Sequence, residues 1–183
     1  MRWFKKLGAM AAGVLALGAD SSSAVGAKGP VNAYEGLRAM ALNTSAAKLG
    51  LRLPDDTTTA YGVVMDMGVI GGTATLVAFS TGDASLYVSS GGGVIGSGQH
   101  DSVRRSALAL VQSAEARLRL FSSTTRFDGP ANGQVRFFIL TNRGVLTAVE
   151  SEDRIDSGGL PLSPVWYAGQ KLLTDVRLVA EKP

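Results

Sequence analysis

Residues 89 to 105, Ser-Ser-Gly-Gly-Gly-Val-Ile-Gly-Ser-Gly-Gln-His-Asp-Ser-Val-Arg-Arg, bring together a run of glycines, the chain's only histidine and two adjacent arginines. A glycine-rich loop leading into a helix can aim backbone N–H groups at an anion, and the helix N-terminus adds partial positive charge. Gly92, Gly93, Ser97, Gly98, His100, Arg104 and Arg105 are therefore the candidate anion- or ligand-binding residues. In an enzyme, His100 and the arginines would supply the acid–base or anion-holding groups. The spacing favours a simpler reading. A P-loop requires Lys and then Ser or Thr after its glycines, whereas Gly98 is followed by Gln99 and His100. Gly91 to Gly96 fit the glycine positions of a dinucleotide fingerprint, but they follow a strand meander and not a βαβ unit. The expectation is a strand-to-helix connection capped by Ser97 or Asp101, with Asp101 offsetting the arginines.

Other reactive side chains are sparse. Ile155-Asp156-Ser157-Gly158-Gly159-Leu160-Pro161-Leu162 resembles the segment around the nucleophile of chymotrypsin-like proteases. Ile155 stands where that family has glycine, and His100, the only available base, lies 57 positions before Ser157, too close for two β-barrels. A flexible approach to the helix start at Ser163-Pro164 accounts for these residues better. Glu150, Glu152, Asp153 and Asp156 are oxygen ligands suited to a hard cation such as calcium, yet EF-hand spacing is absent and a solvated acidic turn is expected. Asp66, flanked by Met65 and Met67, is expected on the solvent face of a strand, with a buried acid as the alternative. Trp166 and Tyr167 read as core or interface aromatics. No catalytic residue, metal or cofactor is assigned.

Composition narrows the classes further. The 183 residues are 45% hydrophobic and 18% charged, which suits a folded domain with one core. The pI near 9.4 invites a nucleic-acid reading. Arg2, Lys5 and Lys6 supply much of that excess; beyond residue 27 the chain has 15 basic and 14 acidic residues, so no nucleic-acid partner is expected. Absence of cysteine removes disulfides, thiol nucleophiles and thiolate metal sites, and a single histidine excludes a multi-histidine zinc site within one chain.

The N-terminal 27 residues have the parts of a secretory signal peptide: a basic start, the uncharged run Leu7 to Ala19, and small residues at Ser22-Ser23-Ala24 and Val25-Gly26-Ala27. Cleavage near residues 24 to 27 would export a single domain of residues 28 to 183 to the periplasm or exterior. If uncleaved, Trp3, Phe4 and Leu7 beside Lys5 and Lys6 would lay the segment on a membrane surface or on the domain of a cytoplasmic protein.

The elements that must position these groups follow from periodicity. Pro30 can open a helix through Tyr34, Leu37, Met40 and Ala41, with Gly50 as a stop. Alternation from Tyr61 to Val69, the turn at Gly71-Gly72, and the returns through Ser80 and Ser89 predict a three-stranded meander. Val103, Ala107, Leu110, Val111, Ala114, Leu118 and Phe121 recur at helical spacing. Gln134 to Thr141 and Val145 to Glu150 form a hairpin around Asn142-Arg143-Gly144, and Ser163-Pro164 begins the last helix as N-cap and first turn.

The resulting order, α-βββ-α-ββ-α, predicts an α+β domain with a five-stranded, mostly antiparallel sheet covered by helices. Over residues 30 to 180 this order resembles the class I type III secretion chaperones, whose small domains use it to dimerise and hold extended effector segments. It is also similar to profilin-like and roadblock-like interaction modules. The resemblance implies a protein partner or self-association, and the functional expectation is a non-enzymatic protein-interaction module. The alternative is a small-ligand or anion-binding protein, or an enzyme, that uses the loop at residues 91 to 98.

Overall fold

The computed structural model describes residues 33 to 181. Pro30 and residues 1 to 27, expected from sequence to be a signal peptide or membrane-associating segment, lie outside them. Helix α1 (Ala33–Leu42) is followed by β1 (Ala60–Val69), β2 (Gly72–Phe79), β3 (Ala84–Val88) and the two-residue β4 (Gly93–Val94). Helix α2 (Asp101–Glu115) leads to the short β5 (Ser122–Thr124), then β6 (Gln134–Thr141), β7 (Gly144–Ser151), α3 (Glu152–Asp156) and α4 (Ser163–Ala180). Among the described residues no helix is long and apolar enough to cross a membrane.

The fold is α+β with an antiparallel sheet, but that sheet has seven strands, in the order β4-β3-β2-β1-β6-β7-β5, where five were expected. The two additions are edge strands of two and three residues, too short to show alternation in sequence. Their brevity limits the exposed hydrogen-bonding edge that could pair with another sheet.

Both faces of the sheet are covered. Val63, Met65 and Met67 of β1, Leu76 of β2, and Val135, Phe137 and Ile139 of β6 form the main core beneath α2 and α4. Gly169 brings α4 close to the sheet: a Cβ there would lie 2.7 Å from the Sδ and Cε of Met65. On the opposite face, Ala41 and Leu42 of α1, with Tyr34 and Leu37, pack over Val64, Val77, Tyr87 and Phe138. A strand buried on both faces loses its polar alternation, which is why β1 is almost continuously apolar.

Several boundaries move for identifiable reasons. Helix α1 ends at Leu42, and Gly50, with φ 70°, closes a separate 3-10 turn at Ala47–Leu49. Met40 is 69% exposed and lies off the buried stripe, since six residues from Tyr34 amounts to roughly a third of a turn away from it. Helix α2 stops at Glu115, and Leu118 and Phe121 reach the core from and just beyond a 3-10 turn. Ser163 does not cap α4: its hydroxyl donates to the Ile155 carbonyl at 2.7 Å and accepts the Leu160 N–H, so it ties the preceding loop together. Pro164 does occupy the first turn. The β6–β7 hairpin forms as expected, and its tip has a further task. Asn142 accepts the Thr59 N–H and donates to the Pro54 and Thr57 carbonyls, while Arg143 donates to those of Asp55 and Asp56.

Candidate functional site

The face covered by α1 holds a cleft of about 290 Å³, walled by Tyr34, Arg38 and Leu42 of α1, Thr73 of β2, and Phe127 and Gly129 of the β5–β6 loop. That loop is held down at β1, where the Gly133 N–H donates to the Gly68 carbonyl at 2.9 Å. Gly68 has no side chain to keep the loop away; a Cβ there would sit 1.9 Å from the Ala131 carbonyl oxygen.

Beside the cleft lies a buried polar group. Asp66 is 0% exposed, contrary to its expected solvent-facing place, because α1 covers the face to which it points. Its Oδ1 accepts the Thr75 hydroxyl at 2.5 Å, and its Oδ2 accepts Nε and Nη2 of Arg38 at 2.9 and 2.5 Å. The Tyr34 hydroxyl lies 2.8 Å from Thr75 Oγ1. Thr75 spends its one hydrogen on the carboxylate, so Tyr34 is the donor and the chain of bonds runs Tyr34 to Thr75 to Asp66. Burial, ahead of every other influence, pushes the Tyr34 phenol above its ordinary pKa. Across the strands, Asp66 is in register with Arg136 of β6. Arg136 nonetheless makes no ion pair with it, and its Nε is buried without a hydrogen-bond partner. The guanidinium carbons of Arg38 and Arg136 lie 5.5 and 6.0 Å from the centre of the Phe138 ring, and Phe127 packs on the same ring at 5.7 Å.

The glycine-rich stretch is placed elsewhere. Gly91 and Gly92 form an exposed turn, and Gly93 enters β4. Ser97 is buried and donates to the Ala84 carbonyl at 2.9 Å. Gly98 packs tightly on the β2–β3 turn, where a Cβ would come within 2.8 Å of both the Gly82 oxygen and Asp83 Cα. His100 precedes α2 in extended conformation, and no side chain caps this helix, so neither Ser97 nor Asp101 has the expected capping role. His100, Arg104 and Arg105 are exposed, with the stem of Arg104 laid against Gly82. The structure thus joins Ser97 and Gly98 to the packing of the β2–β3 turn and leaves the three cationic candidates on the surface. No family model matches the chain, and no curated protein or solved structure matches it.

The remaining candidates have local partners. Ser157 donates to the Arg154 carbonyl at 2.7 Å, and the Asp156 carboxylate accepts the Trp166 indole N–H at 2.9 Å. Tyr167 donates to the Asp156 carbonyl, so both aromatics anchor this loop to α4. Between α2 and α4, the buried Ser106 hydroxyl donates to Asp175, which also receives Lys171 at 2.6 Å. Among the described residues no three acidic or histidine side chains converge as a metal site. Glu150 pairs with Arg154 at 3.0 Å.

Glu152 has a pH consequence. Partial burial raises its pKa above the ordinary carboxylate value, with Asp153 and Asp156 adding to the shift. The folded state therefore holds this proton more tightly than the unfolded chain. Stability from this group falls as pH rises from the unfolded pKa through the folded one. Glu152→Gln is expected to remove that slope and to raise the melting temperature slightly at pH 7 but not at pH 4, as calorimetry at the two pH values would read. Equal shifts at both would rule out the titration as the cause.

Asp66 was visible in sequence as an acid among methionines, but its partners were not. The usable signal was Arg136, a charge inside the otherwise apolar run Val135 to Leu140. Two opposite charges on neighbouring strands point to a polar site on one face, once the strands are known to pair.

Proposed function

We propose that the domain is a non-enzymatic binding module and that the cleft under α1 is its binding element, taking a small apolar or aromatic group. One observation carries this reading. The polar groups around the cleft are spent on each other, from Tyr34 through Thr75 to Asp66 and Arg38, while Leu42 and Phe127 leave apolar wall open to an occupant. Such a site offers shape and apolar contact, and its one carboxylate besides the spent Asp66, that of Glu35, stands on the exposed rim. The hydroxyls of Ser97, Ser106, Ser157 and Ser163 are likewise engaged in holding loops and helices.

The test uses benzamide, a neutral aromatic probe, in an amide NMR titration. The expected result is that shifts concentrate at Tyr34 to Asn43 and Phe127 to Gly129. Ala39→Trp, which puts an indole at the exposed mouth of the cleft, should weaken binding at least tenfold with the melting temperature unchanged. Shifts centred elsewhere, or full binding by Ala39→Trp, would overturn the assignment.

A further inference from the structure

The charge on the α1 side of the sheet does not balance. Two guanidiniums, those of Arg38 and Arg136, lie near the Phe138 ring, and of the two only Arg38 pairs with the buried carboxylate of Asp66. Glu35 is the other acid at the cleft, but it stands on the exposed rim, where solvent screens it. Arg136 is half-buried, its Nε sealed from water and lacking an acceptor. A buried donor without a partner is costly, and more so when it belongs to a charged group.

Arg136 lies on the same face of the sheet as the cleft, although it is not one of the cleft's walls. Its neighbour Phe137 points into the core beneath α2 and α4, and side chains alternate along a strand, so Arg136 points to the α1 side with Asp66 and Phe138. Phe138 in turn touches Phe127, a wall of the cleft.

Resting on the binding role proposed above, we infer that the natural ligand is a carboxylate on an apolar or aromatic body, its body in the cleft and its carboxylate on Arg136. The guanidinium fork matches a carboxylate in shape, and the pair would form beside an aromatic ring where water competes poorly. This chemistry has two sources: a free aromatic acid, or the C-terminal residue of a partner polypeptide, whose terminal carboxylate follows an apolar side chain.

Benzoate and benzamide differ in charge while sharing the ring. In the same NMR titration, at constant ionic strength, benzoate is expected to bind at least tenfold more tightly than benzamide. Arg136→Gln should bring the two to within twofold of each other, with its amide spectrum and thermal melt showing that the variant is folded. Arg136→Lys, retaining charge without the fork, should recover part of the preference. Equal binding of the two probes to the unaltered protein, with both blocked by Ala39→Trp, would overturn the carboxylate inference and leave the binding cleft standing. Loss of the Ala39→Trp effect would instead remove the cleft reading itself. A six-residue peptide ending in phenylalanine, compared with its C-terminal amide, separates the sources. Tighter binding of the peptide acid than of benzoate supports a polypeptide terminus, whereas tighter binding of benzoate supports a free acid.

Discussion

Asp66→Ala is expected to lower folding stability by about 3 to 5 kcal/mol, the loss typical when one member of a buried ion pair is removed. The carboxylate is fully buried and receives Thr75 together with two nitrogens of Arg38. Without it, Arg38 and Arg136 would both lie near Phe138 with no buried anion beside them, and Thr75 would lose its acceptor. Arg38→Ala should also be costly, since it strands a fully buried carboxylate, although Arg136 stands close enough to lessen the loss. The double variant Asp66→Ala/Arg38→Ala is then expected to lose less than the two single losses together, because neither charge remains without the other. Urea unfolding of the four proteins measures this directly. With total stabilities of roughly 5 to 15 kcal/mol common for domains, such a loss takes up much of the margin against unfolding, so the comparison belongs at low temperature. Strict additivity, or a loss below about 1 kcal/mol for Asp66→Ala, would show that the pair is not what holds α1 to the sheet.

What the chain disclosed in advance follows from the range over which each signal acts. The hairpin at Asn142-Arg143 was legible because a turn and two flanking runs are contiguous, and the α2 face was legible because its stripe repeats every three or four residues. Edge strands β4 and β5 were not, since two or three residues cannot establish a period and only the neighbouring strand defines them. Ser163 was misread for a related reason. Its position before proline is that of a cap, but the competing acceptor, the Ile155 carbonyl, comes from a short helix that the sequence pattern does not announce. The cleft was hidden most completely, because Tyr34 and Arg38, Thr75, and Arg136 come from three separate elements and meet only when α1 folds over β1. The glycine-rich stretch drew attention by composition alone, and composition cannot separate a glycine needed for packing, as at Gly98, from one at an open turn, as at Gly91.

That distinction yields the other large effect. Gly68→Ala is expected to cost upwards of about 3 kcal/mol, beyond the usual range for overpacking, because the clash is with backbone and not with a side chain that can rotate away. The new Cβ would lie 1.9 Å from the Ala131 oxygen and 2.7 Å from its carbonyl carbon. Relief requires moving the β5–β6 loop off β1, which would break the bond from the Gly133 N–H to the Gly68 carbonyl and carry Gly129 and Phe127 away from the cleft. Gly36→Ala supplies the contrast: it lies within α1, a Cβ there meets nothing within 4 Å, and alanine should stabilise the helix by about 0.5 to 1 kcal/mol. Urea unfolding should therefore move the two variants in opposite directions. Benzamide titration adds a functional reading, since Gly68→Ala should lose the probe under conditions where it is still folded, while Gly36→Ala retains it. If Gly68→Ala instead unfolds like the unaltered protein and binds benzamide fully, the loop does not rest on β1 and the cleft has a different wall.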